Sequence, residues 1–463
     1  LTLGLGIGSA LVVLLAASVS AAAPPPTNGT VNGFDFGELQ STTVGVAGCG
    51  TNAAGEPAIH VSRADLVAVS SERGLTSGTD TWHGPASAAA CGLTYGGQAN
   101  ALVPGVALAG GDTDLAIASA KNTAGTYTIY VASLNLASVA VAHSTDNGAT
   151  WTNVPVVAGV PVDDREWIAA YGANTSLLSY HDVATDNINV LRSDDGGTTY
   201  VQISQAIPAT DYKALLNQHG NLVIDRRNTA GATAGQFWAY QSFVAPSSRP
   251  SVLSFLPVIG TAPLNEAFMA VSNDGGHTWT DRPIPCSVST ESLANQFPNV
   301  SVAPDGTLWA SWSDSHNVFT AVSHDHGTTW ACSPAVGANT AQAIFPWMVA
   351  TSAGVDLVYY GTTTPESSSA TPTWSVYFAQ NLASTPTGWG TPTQLMPVHQ
   401  GTVCEEGVEC TSGRQLLDDF GVDTDQEGMA HIAYSHDAPN LGGATTFTGY
   451  ARQVGGTPVG YPN

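Results

Sequence analysis

The chain has 463 residues, 36 Asp and Glu against 12 Lys and Arg, and a formal net charge of -24 at pH 7. A surface of that sign repels phosphate backbones and anionic lipid, which argues against a nucleic-acid-binding protein. Hydrophobic residues make up 43 % of the chain, so it folds rather than staying disordered, and its length calls for several domains or one closed repeat architecture.

Residues 1–23, LTLGLGIGSALVVLLAASVSAAA, carry no charge, and PPPTNGT follows as an extended, helix-ending linker. Two readings stand. As a secretory signal, the apolar run ends in small residues around Val19, Ser20 and Ala21 that suit a signal peptidase, although a basic leader is missing. As a retained helix it would reach roughly 35 Å, enough to span a bilayer or enter a bundle. In that form it resembles the N-terminal helices of type IV pilin-like and archaellin-like subunits, which implies self-assembly of identical subunits into an extracellular filament. Membrane contact is then expected through residues 1–23 alone. Residues 24–44 are a Pro/Gly/Thr linker, and the stretch around 31–46 is a candidate ring-closing strand.

From residue 45 to 463 the chain repeats itself. NVSVAPDGTLWASWSD (299–314) is one phrase, two alternating strands about a tight turn, and EWIAAYGANTSLLSYHD, FPWMVATSAGVDLVYYG and FGVDTDQEGMAHIAYSHD are further copies. Modules begin near residues 56, 112, 163, 215, 297, 345 and 414. Each reads as a four-stranded antiparallel blade, and blades that cannot bury both faces alone stack radially into an all-β propeller. Seven blades are expected, or six if the first and last modules merge.

A second phrase punctuates the modules: STDNGATW (144–151), SDDGGTTY (193–200), SNDGGHTW (272–279) and SHDHGTTW (323–330). The Asp carboxylates (Asp146, Asp195, Asp274, Asp325) accept from turn amides, the glycines (Gly148, Gly197, Gly276, Gly327) supply a positive φ, and Trp151, Tyr200, Trp279 and Trp330 pack on the sheet. The phrase resembles the Asp-box (BNR) repeat of sialidase-like β-propellers. That resemblance implies boxes on the outer rim, away from an axial pocket, so the four aspartates are structural.

A sialidase also needs an arginine triad on the substrate carboxylate, a Tyr activated by a Glu, and an acidic proton donor. The family's early Arg-Ile-Pro signature is absent here. Candidate catalytic residues are Arg165 and Glu166, with Asp164 beside them, and Arg414 and Asp419, with Asp418. Salt bridging within or between blades is the alternative, because both groups fall at one place in the repeat. Asp182, Asp314 and Asp437 recur at the ends of second strands. No cofactor is required; calcium at Asp423 and Asp425 is the one metal candidate, yet Tyr434 stands where a calcium loop needs its last acid. His324 and His326 read as solvent-facing residues of a box turn.

The six cysteines show no zinc-ribbon spacing and suit an exported protein, paired with their sequence neighbours: Cys49 with Cys91, Cys286 with Cys332, Cys404 with Cys410. Asn28, Asn174 and Asn299 are N-glycosylation sequons, and the Ser/Thr/Pro-rich stretches 361–373 and 384–393 are surface loops suited to O-glycans. The sequence therefore points to an extracellular or cell-surface propeller, non-catalytic and filament-forming with a glycan as possible ligand, against the alternative of a secreted exo-α-sialidase-type glycoside hydrolase.

Overall fold

The computed structural model describes residues 25–74, 77–100, 111–135, 138–156, 163–182, 185–250, 263–294, 296–337, 339–406, 410–418 and 420–462. Residues 1–23, and with them the filament and signal readings, lie outside these. So does Asp419. Among the described residues no helix is long and apolar enough to cross a membrane.

Tight turns set the repeat. In the 299–314 phrase Gly306 takes φ 89°, and the amides of Ala303 and Gly306 bond the carbonyls of Thr307 and Ala303, reversing the chain between Asn299–Val302 and Leu308–Ser313. Seven antiparallel sheets arise in this way. Blades 1 to 6 occupy residues 55–98, 113–155, 163–205, 218–283, 299–332 and 342–400, each with four strands. Blade 7 takes three strands from 421–453, and the ring closes where Phe34–Glu38 pairs with Phe447–Gln453. Asn28–Val31 adds a fifth, outermost strand. Residues expected to be partly linker are thus sheet, and the count is seven.

The first strand of each blade touches the first strand of the next, and that of blade 7 returns to blade 1, so these seven strands line the axis. Second strands are buried on both faces rather than alternating: every residue of Val355–Thr362 is buried. A blade is sandwiched between two neighbours, which leaves its inner strands no solvent face. Hydroxyls on these faces bond across the seams: Ser71 to Thr448 at 2.6 Å, Thr79 to Ser133 at 2.9 Å, and Ser179 to Gln241 at 2.6 Å.

All four boxes connect the third and fourth strands of blades 2 to 5. In each, the Asp carboxylate takes the amide and hydroxyl of the Thr four residues on, as Asp274 does from Thr278 at 2.9 and 2.7 Å, while the box Ser takes the Gly amide. Gly148, Gly197, Gly276 and Gly327 have φ between 80° and 94°. The glycine also lets the turn press on the preceding blade. A Cβ on Gly276 would meet Leu177 of blade 3 at 3.1 Å, and one on Gly197 would meet Tyr130 of blade 2 at 2.9 Å. Trp279 crosses the same seam, its indole N–H donating to Ser204 at 2.9 Å. The boxes therefore join blade to blade, a tertiary role beyond holding one hairpin.

Cys49–Cys91, Cys286–Cys332 and Cys404–Cys410 are bonded as expected. Two expectations are corrected. Asn299 is fully buried on the first strand of blade 5, where its Oδ1 accepts from the Met348 amide at 3.0 Å, so the folded chain offers no glycan acceptor there. Asn28 and Asn174 are exposed. His326 is not solvent-facing filler: its ring stacks on Trp238 at 3.9 Å and its Nδ1 meets the Tyr240 hydroxyl at 2.7 Å, both on blade 4.

Candidate functional site

First strands start at one end of the propeller and second strands return to it, so one mouth of the axis collects first-strand starts and second-strand ends. The boxes, at the hairpins from third to fourth strands, fall at the opposite end. Three first strands carry a non-glycine residue in the left-handed region near their start, Glu56 (φ 58°), Arg165 (45°) and Phe345 (53°), and two more are preceded by one, Phe297 (40°) and Leu417 (56°). Pairing slips beside three of them, between Gly55 and Ala58, Asp164 and Glu166, and Ile344 and Trp347. Such a bulge re-aims one side chain, here toward the axis, and the backbone strain it stores is held by the surrounding ring.

Arg165 shows where that aim leads. From blade 3 its guanidinium reaches Glu56 of blade 1, comes to 3.8 Å from Asp112 at the start of blade 2, and lies over the rings of Trp167 at 4.1 Å and Phe297 of blade 5 at 4.9 Å. It is 3 % exposed. Trp167 stacks on Trp347 of blade 6 at 5.4 Å and meets His219 of blade 4 edge-on. The Arg165 amide is approached by two carboxylates, Asp112 at 3.2 Å and Asp164 at 3.1 Å. Arg414, on the segment entering blade 7, pairs with Asp418 at 2.5 Å. That segment is pinned by Cys404–Cys410, and Glu405 within it takes hydrogen bonds from Gln296 and Ser315 of the blade 5 side.

Crowding of carboxyl groups in a buried mouth raises their proton affinity. Burial, reinforced by the charges of Asp112 and Asp418 and opposed by the Gly74 amide and Arg414, pushes Glu72 up to about 7. Burial pushes Asp418 up to about 6 against the pull of Arg414, and Asp114 to about 6 against the Ile168 amide. Burial and Asp112 raise Asp164, and burial and Asp112 raise Glu166 far above the usual carboxylate range. Glu166 is fully buried, and neither of its oxygens has a hydrogen-bond partner among the described residues. His219, buried under His181, is held well below its ordinary value.

Of the catalytic candidates, Arg165, Glu166 and Arg414 meet at this mouth. The salt bridging expected is present for the two arginines: Arg165 with Glu56 joins blades 3 and 1 across the axis, and Arg414 with Asp418 stays on one segment. Sequence reasoning missed Glu56, Glu72, Asp112, Asp114 and His219. Their one mark was position, at first-strand starts and second-strand ends of modules already recognised. Asp182 and Asp437 close second strands, but Asp437 is absorbed by His399 at 2.7 Å and Asp314 by its own turn amides.

Asp423 and Asp425 sit toward the far end of the axis. Asp423 accepts from the Val61 amide at 2.8 Å and contacts His60 at 3.0 Å; Asp425 takes the Met429 amide and contacts His431. Asp423 thus ties blade 7 to blade 1, and Asp425 serves its own hairpin turn. Among the described residues no three acidic, imidazole or thiol groups gather as a metal cluster. A cavity of about 80 Å³ runs along the axis between the two ends, lined among others by Asp114, Trp347, Asn221, Arg226, Asp423 and Tyr461.

No family profile matches the chain, and no curated protein sequence does. Among solved structures it is similar to the α-L-arabinofuranosidase Arb93A of Fusarium graminearum (12 % identity over 89 % of this chain and 97 % of that one, TM-score 0.45). It is also similar to an ulvan lyase (9 %, 90 % and 96 %, 0.47) and to the Hadza microbial sialidase Hz136 (13 %, 81 % and 74 %, 0.44). A sialidase and other glycoside hydrolases are thus among the structural neighbours of this seven-bladed propeller. At these identities and TM-scores the likeness carries no argument about activity.

Proposed function

We propose that the axial mouth is the active centre of an exported glycoside hydrolase working by general acid–base chemistry between carboxyl groups. The observation that carries this reading is the meeting of Asp112 and Asp164 at one amide, with the proton-retaining Glu72 and Asp418 in the same electrostatic cluster. Hydrolysis needs one carboxyl that keeps its proton and one that has lost it, on either side of the scissile bond. Glu72 gives its proton to the leaving oxygen as the glycosidic C–O bond breaks. Asp112 or Asp164 takes a proton from the water that attacks the anomeric carbon. Trp347, half-buried on the wall of the axial cavity, offers an apolar surface for a sugar, and Arg165 and Arg414 balance the negative charge.

A sialoside is disfavoured as substrate: Arg165 and Arg414 are already engaged by Glu56 and Asp418, and a carboxylate grip asks for three arginines. Three disulfides support export to an oxidising compartment. The test is turnover of a panel of aryl glycosides, oligosaccharides and a sialoside from about pH 4 to about pH 8, with Glu72→Gln, Asp112→Asn and Asp164→Asn. Removal of a proton-transfer group lowers the rate by about 10²- to 10⁴-fold. Turnover that survives all three substitutions, or none on any substrate, refutes the assignment.

A further inference from the structure

Beyond Phe447–Gln453, the third strand of blade 7, the chain crosses the far end of the axis. The Thr457 carbonyl takes the side-chain amide of Gln380, on blade 6, at 2.9 Å. Val459 is fully buried, its amide donates to the Gly428 carbonyl of blade 7 at 3.0 Å, and its carbonyl accepts from the Thr351 hydroxyl of blade 6. The chain is anchored there. Gly460 then turns it at φ 86°, pressed so close to Gly428 that a Cβ on Gly428 would strike the Gly460 backbone. Next come Tyr461 and Pro462, which line the axial cavity with Asn221, Ser301 and Trp347. The Tyr461 hydroxyl reaches the Val61 carbonyl of blade 1 at 3.4 Å. From blade 4, Arg227 lies over the Tyr461 ring at 5.5 Å and donates to the Pro462 carbonyl at 3.1 Å.

Tyr461 and Pro462 thus join opposite sides of the ring, yet among the described residues they enter no sheet beyond a single bridge of Pro462 to Thr351. A segment held by a few hydrogen bonds and one cation–ring contact opens at a fraction of the free energy that unfolds a core strand. Glycine at the turn leaves the backbone free to swing. The cavity behind it, at about 80 Å³, exceeds the ~30 Å³ share of one water molecule in the liquid, so small solutes have room. Toward the mouth, Trp347 stacked on Trp167 beneath Arg165 narrows the axis. We infer that Tyr461 and Pro462 form a stopper for the far end of the axial cavity, anchored at Val459, hinged at Gly460 and latched by Arg227. Its opening admits small solutes to the axis from the end opposite the mouth. The stopper stands on its own residues and is independent of the chemistry proposed for that mouth.

Thiol accessibility in the whole protein tests it. All six native cysteines are bonded, so Ser301→Cys, on the cavity wall, supplies the one thiol that can react with methyl methanethiosulfonate, followed by mass spectrometry. Adding Tyr461→Gly, which removes the stopper, or Arg227→Ala, which removes its latch, should speed the reaction at least about tenfold. Adding Arg249→Gln, at an exposed arginine elsewhere, should leave the rate unchanged. Equal rates with and without Tyr461→Gly overturn the inference, as does acceleration by Arg165→Ala alone, which would put the entrance at the opposite mouth. Native protection of the Val318–Ser323 strand against hydrogen exchange confirms that each variant is folded.

Discussion

Replacing Trp279 by Ala tests whether the boxes join blades. The ring is 8 % exposed, packs in one cluster with Leu177 and Ile203 of the preceding blade, and donates to Ser204 and to the Gly276 carbonyl at 2.9 and 3.0 Å. A buried Trp removes roughly 150–250 Å² from water, worth about 4–6 kcal/mol at 25 cal/mol per Å². Alanine keeps a small part of that area, and residual compaction of the unfolded chain trims the rest, leaving about 3–5 kcal/mol. At an unfolding entropy near 2.1 cal/mol/K per residue, a chain of this length loses only about 3–5 °C in melting temperature, so denaturant titration is the sharper assay. Trp279→Phe, which keeps an aromatic ring but not the indole N–H, should lose less. Trp151→Ala should also lose less, because that ring is only half-buried. A loss below about 1 kcal/mol for Trp279→Ala would show that the box holds only its own hairpin.

Glu72→Gln should flatten part of the pH dependence of stability. A carboxyl raised to about 7 by burial is most stabilising below its unfolded value near 4.5 and loses that contribution as pH climbs through about 7. The neutral variant should therefore gain on the native protein by on the order of 3 kcal/mol between those limits, read from denaturant midpoints. Gly276→Ala, forced into φ 94° with its Cβ 3.1 Å from Leu177, should cost more than about 1 kcal/mol, measured in the same titration. Glycopeptide mass spectrometry of protein secreted from a glycosylating host should find glycan on Asn28 or Asn174 and none on Asn299, which is closed in the folded state. Converting Cys286 and Cys332 to Ser opens a link spanning 46 residues and should cost about 2–5 kcal/mol.

Much of the fold could be read from local chemistry. Box turns need Asp, Gly and Thr at set offsets because one carboxylate must take the amide and hydroxyl four residues on, so their recurrence marks equivalent hairpins. Period-two strands around Gly turns give the modules, and an incomplete last module calls for a strand from the N-terminus, which Phe34–Glu38 supplies. Neighbour pairing of the cysteines follows from the same locality, since each pair lies within one module or bridges adjacent ones.

The mouth was only half legible. Arg165, Glu166 and Arg414 stood out as charges in a chain poor in them, but Glu56 did not declare itself as the partner of Arg165, 109 residues away. That pairing exists because ring closure brings blades 1 and 3 to one axis, and because a left-handed residue turns each side chain inward. Such bulge positions hold Glu, Arg and Phe, so no glycine marks them in the sequence. Burial was decided in the same way. The sequon at Asn299 looks like those at Asn28 and Asn174, and His326 looks like any polar turn residue, until a neighbouring blade covers one and stacks on the other. Turn chemistry depends on a few adjacent residues and survives in the sequence. Which face of a strand meets the axis, a neighbour or water depends on how seven sheets close, and only the tertiary structure decided it.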